Sequence, residues 1–135
     1  MESLHYLLMK TNAIFNRRIL AQAGRLGLTA GQPKVLECLS RCGEADQRTI
    51  ASYCEIEPAT VGSILLRMEQ DGLVLRRKRD EDRRARFVSL TERGSQAAKE
   101  MAEGFRRVDE GAERALTPQE LEQLKALLQK LWETM

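Results

Sequence analysis

Apolar residues recur every three or four positions through most of the chain, which is the period of an amphipathic helix. Their stripes predict helices from Glu2 to about Leu26, from Thr29 to Gly43, from Asp46 to Cys54, from Pro58 to about Gln70, from Thr91 through Val108, and from Thr117 onward. Between the fourth and fifth helices, the apolar runs Leu73–Leu75 and Phe87–Leu90 predict two strands of a hairpin. The pattern therefore predicts a mostly α (α+β) fold.

Local signals indicate where several of these helices begin. A hydroxyl or carboxylate side chain can accept a hydrogen bond from an otherwise unpaired N–H in the first turn. The predicted caps of this kind are Thr29, Asp46, Thr91 and Thr117. Thr29 with Gln32 and Thr117 with Glu120 also have the spacing of a capping box, in which the two residues bond reciprocally.

Length and composition favour one soluble domain. The chain has 135 residues, of which 42% are apolar and 31% are charged, enough to bury a core beneath a highly charged surface. Its six aromatic residues offer little material for an aromatic-lined cofactor cavity. No apolar run approaches the ~20 residues that span a bilayer, and the N-terminus lacks the pattern of a signal peptide. We therefore expect a cytoplasmic protein without membrane association.

The nucleophiles and metal ligands do not assemble into a recognisable catalytic site. There is a single histidine, His5, and no glycine-rich phosphate loop follows a strand, so we expect no enzyme activity, metal or cofactor. Three cysteines without a secretory signal favour reduced thiols. Cys38 and Cys42 lie four apart on one predicted helix, which leaves a thiol-based redox switch open, whereas Cys54 is predicted to be a small core residue.

The first and last helices carry apolar stripes that the centre of the chain is too small to cover. The segment from Thr29 to Leu90 is compact enough to form its own core, and the terminal helices flank it. The simplest cover for their stripes is the same surface of a second copy, which predicts a two-fold homodimer. Packing of the two ends on each other within one chain is the alternative.

Positive charge is concentrated between the two predicted strands. The net charge of the chain is only +2, yet residues 76–86 carry seven basic and three acidic side chains. This pattern is typical of a surface that binds a polyanion. A hairpin tip charged only for solubility, or one that binds an acidic protein partner, is the alternative.

The short third helix, the "EIEP" turn and the fourth helix have the pattern of a helix-turn-helix unit. The second helix of such a unit can lie in the major groove of DNA, with its N-terminal half towards the base edges. Thr60, Ser63 and Arg67 face outward there and can bond phosphates or bases. An arginine-rich hairpin directly after this helix is typical of a wing, because a narrow minor groove attracts arginine.

Two segments, "LTAGQPKVLECL" and "TIASYCEIEPATVGSILLRMEQDGLVLRRKRDEDRRARFVSLTERG", resemble the DNA-binding core of the MarR family of bacterial transcription regulators. The resemblance extends from Leu28 to Gly94. Its most specific part is the wing pattern: Gly-Leu-hydrophobic, an Asp-x-Arg element, then Leu-Thr-x-x-Gly. It implies a winged helix-turn-helix region at residues 28–94 and a helical dimerisation region at residues 1–27 and 95–135, within a single unit of residues 1–135.

The resemblance also implies roles for individual residues. Asp82 and Arg84 match the family's wing Asp and Arg, where the Arg enters the minor groove and the Asp orients it. Arg83 and Arg86 are candidates for phosphate contacts, and Arg76 matches a basic residue at the base of the wing. Thr60, Ser63 and Arg67 match groove-facing positions of the recognition helix.

These features predict a sequence-specific regulator of transcription that binds double-stranded DNA as a homodimer. We expect a repressor whose pseudo-palindromic operator has half-sites about 34 Å apart. The resemblance implies that a small, often aromatic or anionic effector binds between the DNA-binding and dimerisation regions. Such an effector would favour a dimer whose recognition helices are wrongly spaced for DNA.

Overall fold

A computed structural model describes the backbone of residues 1–79 and 82–135 and the side chains of residues 1–78 and 86–135. The elements in chain order are α1 (Leu4–Arg25), α2 (Gln32–Cys42), β1 (Glu44–Asp46), α3 (Gln47–Cys54), α4 (Pro58–Gln70), β2 (Val74–Arg79), β3 (Asp82–Leu90), α5 (Glu92–Ala115) and α6 (Pro118–Thr134). This order confirms the predicted helices, the hairpin and the mostly helical fold class. Among the described residues, no helix has the length and apolar character needed to cross a membrane.

The sheet is larger than the apolar pattern predicted. It has three antiparallel strands in the order β1-β3-β2, and β1 was not predicted. The predicted strands were also too short, because β2 extends through Arg79 and β3 begins at Asp82. Pairing of the backbones continues into the charged residues as far as Lys78 opposite Arg86, and after a shift of register Arg79 lies opposite Asp82. The apolar runs therefore marked only the ends of the strands nearest the core.

Three of the four predicted N-caps are confirmed. The N–H of Thr49 donates to Asp46 Oδ1 at 2.8 Å, and the N–H of Gly94 donates to Thr91 Oγ1 at 2.9 Å. Thr117 forms a complete capping box with Glu120 at the start of α6.

The predicted cap at Thr29 is wrong. Helix α2 begins at Gln32, and its N-cap is Gly31 with φ of 87°, although the Thr29 N–H does donate to Gln32 Oε1 at 3.0 Å. A Cβ on Gly31 would lie 2.5 Å from Cδ1 of Ile64, so the turn packs directly on α4. This tertiary contact, together with a left-handed conformation that only glycine adopts freely, moves the start of the helix away from Thr29.

The core lies among α2, α3, α4, the strands and α5. Its fully buried large side chains include Leu36, Leu39, Ile50, Leu65, Met68 and Met101. Burial of each such side chain stabilises the fold by about 1.5–3 kcal/mol.

The terminal helices contribute little to this core. Ala23 is the only buried residue of α1, and α6 has none. The stripes predicted for these helices are present but uncovered in one chain: Leu8 is 42% exposed, Leu128 41% and Trp132 71%. In the described chain α1 packs on α5, but the apolar stripes of α1 and α6 remain exposed.

Helix α5 is joined to the hairpin by a close backbone contact. Thr91 Oγ1 donates to the carbonyl oxygen of Gly72 at 2.6 Å, and the Thr91 N–H donates to that of Leu73 at 3.0 Å. The same Leu73 carbonyl passes so near Gly94 that a Cβ there would lie 1.9 Å from the oxygen. We call this contact of Thr91 and Gly94 with the carbonyls of Gly72 and Leu73 the joint. The Leu-Thr-x-x-Gly sequence supplies the threonine and the glycine that it requires.

We expect Gly94→Ala to lower the free energy of unfolding by about 3 kcal/mol, since backbone must move to admit the methyl group. Gly24→Ala is the matched control in α1, because nothing lies within 4 Å of a Cβ at that position. It should raise stability by about 0.5–1 kcal/mol, as alanine has the higher helix propensity. Urea denaturation measures both changes, and equal effects at the two sites would contradict the proposed joint.

Candidate nucleic-acid interface

Helices α3 and α4 are held together at the first turns of α4. Gln47 Nε2 donates to the carbonyl oxygen of Pro58 at 2.9 Å. A Cβ on Gly62 would lie only 3.0 Å from the same nitrogen, so the small residue allows α3 to approach α4 closely. Asp46 caps α3, and the hydrogen bonds from Thr49 lower the pKa of its carboxyl group. The helix-turn-helix unit is thus fixed by backbone-directed polar contacts as well as by its core.

The three predicted groove-facing side chains lie on the exposed face of α4. Thr60, Ser63 and Arg67 are all exposed, on the side opposite the buried stripe that includes Val61 and Leu65. Ser63 Oγ donates to the carbonyl oxygen of Ala59 at 3.4 Å. Arg67 Nε lies 3.7 Å from Asp71 Oδ2, a solvent-exposed ion pair that a stronger anion can replace.

The strand register sorts the basic residues of the wing onto two faces. Val74, Arg76 and Lys78 alternate along one face of β2, opposite Leu90, Val88 and Arg86 of β3. Lys78 and Arg86 are therefore direct cross-strand partners, and both are exposed. Like charges in this arrangement destabilise a sheet unless an anion lies between them.

Arg76 differs from the other basic residues because its side chain is only 19% exposed. Its Nη2 donates to the carbonyl oxygen of Gly62 at 3.4 Å, and its Nε lies 3.4 Å from Glu69 Oε2. That Nε is buried and has no hydrogen bond of good geometry, so the contact with Glu69 is an ion pair alone. On the other face, Arg77 Nη2 lies 3.3 Å from Glu44 Oε2 of β1.

The remaining predicted wing residues are Asp82, Arg83 and Arg84, and their side chains lie outside the described part of the chain. The structure does assign their backbone to β3. They precede Arg86 in the chain, so Arg84 and its neighbours belong to the same strand as the exposed Arg86.

Two of the three thiols are protected. Cys38 is buried, and desolvation, with smaller effects of Cys42 and Cys54, raises its pKa to about 12. Burial likewise raises the pKa of Cys54 to about 11, which agrees with its predicted place in the core, whereas Cys42 is exposed. Since the thiolate is the reactive form, Cys38 is poorly suited to sense an oxidant. Within the described residues, no three His, Cys, Asp or Glu side chains cluster as a metal site would require.

Comparison with known proteins agrees with this geometry. Residues 28–85 match the model of the MarR family. The homoprotocatechuate degradative operon repressor of Escherichia coli is 33% identical over 111 residues, covering 78% of this chain and 72% of that protein. The chain belongs to the MarR family. It is a DNA-binding transcription regulator of the winged helix-turn-helix class, as the sequence predicted.

Other MarR relatives cover almost the whole chain. The transcriptional repressor Rv2887 of Mycobacterium tuberculosis is 27% identical, covering 95% of this chain and 92% of that protein. Its solved structure, in complex with salicylic acid, superposes with a TM-score of 0.77 over 97% of each chain. The transcriptional regulator PA4135 is 27% identical and has a TM-score of 0.88, covering 100% of this chain and 99% of its own. The flanking helices therefore belong to the family fold as much as the MarR core does.

Sequence reasoning missed three residues that shape this MarR interface. Gln47 and Glu69 are ordinary polar residues of helices, and nothing in their spacing marks them as contacts of Pro58 and Arg76. Lys78 is one of seven basic residues in the segment 76–86, and its spacing does not single it out. A strand alternation carried three residues beyond Leu75 would have placed Lys78 on the face of Val74 and Arg76.

We expect iodoacetamide at pH 8 to label Cys42 in the folded protein and to spare Cys38 and Cys54. A thiol with a pKa of about 12 has roughly one part in ten thousand as thiolate at that pH. Mass spectrometry of the digested protein measures the labelling, and Cys42→Ser is the control that should remain unlabelled until it is unfolded. Rapid labelling of folded Cys38 would revive the redox-switch alternative.

Proposed function

We propose that the protein is a repressor that binds a pseudo-palindromic operator as a homodimer and is released by a small anionic effector. One observation carries this proposal: Thr60, Ser63 and Arg67 form an exposed face on α4, and the basic wing contacts the same helix. The repressors among its relatives support the direction of regulation. Because such a protein acts on chromosomal DNA, we propose the cytoplasm as its location and regulation, without catalysis, as its role.

The proposed DNA contacts fall into two groups. Thr60, Ser63 and Arg67 of α4 read the major groove, where hydroxyl groups and a guanidinium can bond base edges and phosphates. In the wing, Arg84 enters the minor groove, Asp82 orients it, and Arg83 and Arg86 contact phosphates. The exposure of Arg86 beside Lys78 supports the phosphate role, since a bound anion relieves their repulsion. Arg76, the remaining predicted site residue, has a different environment, because its side chain is mostly covered by α4.

The exposed stripes of α1 and α6 support the homodimer. They present large apolar side chains, including Leu8, Leu128 and Trp132, that one chain leaves exposed. Burying such side chains against a second copy stabilises association by the hydrophobic effect. We therefore propose that residues 1–27 and 95–135 form the dimerisation region and that residues 28–94 bind DNA, which places two recognition helices on one duplex.

A cavity of about 330 Å³ between α2 and α5 supports the effector. Its apolar lining includes Met101 and Phe105. At its edge lie two arginines, Arg41 and Arg106, and two carboxylates, Glu37 and Asp109. Arg106 is already paired with Glu103 and Glu110, so Arg41 is the cation that we assign to an anionic effector. An apolar floor with a cation suits a small aromatic carboxylate, and this volume lies within the usual range of ligand sites. We propose this chemical class of effector.

Salicylate is the first compound to test. It should weaken operator binding by the parental protein, and it should weaken operator binding by Arg41→Gln to a smaller extent.

We expect the protein to bind DNA from upstream of its own gene with an affinity that falls steeply as salt rises, because phosphate contacts release counterions. Arg84→Ala should weaken binding about tenfold or more, since a contact of this kind contributes about 1–3 kcal/mol. Lys130→Ala is the matched control, because it removes the same charge from the polar side of α6. Fluorescence anisotropy at several salt concentrations measures all three proteins.

Arg67→Ala should alter the base preference at one position of the operator rather than weaken binding to every sequence equally. A parental protein with no salt-sensitive binding to duplex DNA would overturn the proposed function, and so would an Arg84→Ala variant indistinguishable from Lys130→Ala.

We expect sedimentation equilibrium to give twice the mass of the chain at micromolar concentration. Leu128→Glu should shift the protein towards monomer, because it places a charge on the exposed apolar stripe of α6. Ala126→Glu introduces the same charge on the polar side of the helix and should leave the mass unchanged. A monomeric parental protein would contradict the dimer, and equal responses of the two variants would contradict this interface.

A further inference from the structure

Arg76 is turned towards the protein, unlike the basic residues next to it. Its side chain is 19% exposed, whereas that of Arg77 is 70% exposed and Lys78 is also exposed. The strand register explains the difference from Arg77, because Arg76 lies opposite the buried Val88 on the face of β2 that meets α4. Lys78 shares that face, but its cross-strand partner is the exposed Arg86. A side chain in this position presents little of its guanidinium to a phosphate outside the protein.

The guanidinium of Arg76 spans two turns of the recognition helix. Nη2 reaches the carbonyl oxygen of Gly62 in the second turn, and Nε faces the carboxylate of Glu69 near the C-terminal end. One side chain of the wing thus holds α4 at two points seven residues apart. Lysine is poorly suited to both contacts, since its three donors share one nitrogen, whereas arginine has a planar fork of donors on separate nitrogens.

Gly62 is also where α3 approaches α4 from the other side. Its missing side chain leaves room for the Gln47 amide, which binds the Pro58 carbonyl. The backbone of α4 is therefore held between α3 and the wing at the same residue. A rotation of α4 about its axis would break contacts on both sides.

We propose that Arg76 is a positioning residue that fixes the angle between the wing and the recognition helix, with Glu69 as its counter-ion, and that it does not contact DNA. The proposal rests on the proposed function, in which α4 and the wing read different grooves of one duplex. Two such elements bind together at little cost only if their separation is set before binding, because ordering a loose wing on DNA costs conformational entropy.

Glu69 gives this proposal a sharp consequence. An acidic side chain near a DNA-binding surface repels phosphate, so its removal should by charge alone tighten binding. If Glu69 instead holds Arg76 in place, its neutralisation loosens the wing, and Glu69→Gln should weaken binding. Glu57→Gln is the control for charge alone, because Glu57 lies at the other end of α4 and its side chain makes no capping hydrogen bond.

The salt dependence of operator binding tests the role of Arg76 directly. Arg76→Gln should weaken binding on the order of tenfold while the slope of log K against log salt stays that of the parental protein. Arg86→Gln, which removes a proposed phosphate contact, should lower the slope by about one. A slope lowered by about one in Arg76→Gln would overturn the proposal, as would tighter binding by Glu69→Gln.

Two further variants separate positioning from a simple loss of folding. Arg76→Lys keeps the charge and should lose affinity as Arg76→Gln does, with its melting temperature within a few degrees of the parental value; unchanged affinity would overturn the proposal even if Arg76→Gln does not fold. Arg84→Ala should weaken binding less in the Arg76→Gln background than in the parental protein. A wing that is no longer positioned obtains less binding free energy from Arg84. Full additivity of these two changes would also overturn it. A parental protein that binds no duplex would instead overturn the proposed function beneath it.

Discussion

The contact of Thr91 and Gly94 with the Gly72–Leu73 carbonyls is the joint on which the arrangement of the molecule depends. Here α4, the recognition helix, has just ended, β2 of the wing begins, β3 of the wing ends, and α5, the longest helix, starts. Because α5 packs on both α1 and α2, a displacement of that helix is transmitted to the root of the wing. The proposed effector cavity is lined by α2 and α5. A ligand there acts on an element already fixed to the reading surface, so a small shift can alter the spacing of two recognition helices.

Among the side chains that the structure describes, the charges of the interface divide into those already paired within the protein and those open to a ligand. Arg67, Arg76 and Arg77 each have an acidic partner, respectively Asp71, Glu69 and Glu44. Lys78 and Arg86 instead face each other. The number of basic residues in this segment therefore overstates the charge available to DNA. Part of it holds the recognition helix, the wing and the sheet in register with one another.

The order of elements could be predicted because the decisive signals are local. Asp46, Thr91 and Thr117 cap their own helices, and a helical period of apolar residues needs no knowledge of distant contacts. What failed depends on tertiary structure. Strand β1 has only one buried residue, Ala45, and exists because it pairs with Phe87–Ser89 some forty positions away. Likewise, Thr29 has the right neighbours for a cap, but the packing of Gly31 on Ile64 moves the helix start. In the site, the helical period of the sequence was enough to predict which residues of α4 face outward. The inward orientation of Arg76 could be known only from the register of the strands.

The facing of Lys78 and Arg86 has a consequence for how the purified protein behaves. Repulsion between two cations on one face is relieved by any polyanion, and a ligand that binds only the folded state raises its stability by mass action. Fragments of cellular nucleic acid carried through chromatography would thus act as an unrecorded stabiliser. Preparations with different residual absorbance at 260 nm would melt at different temperatures, although their chains are identical.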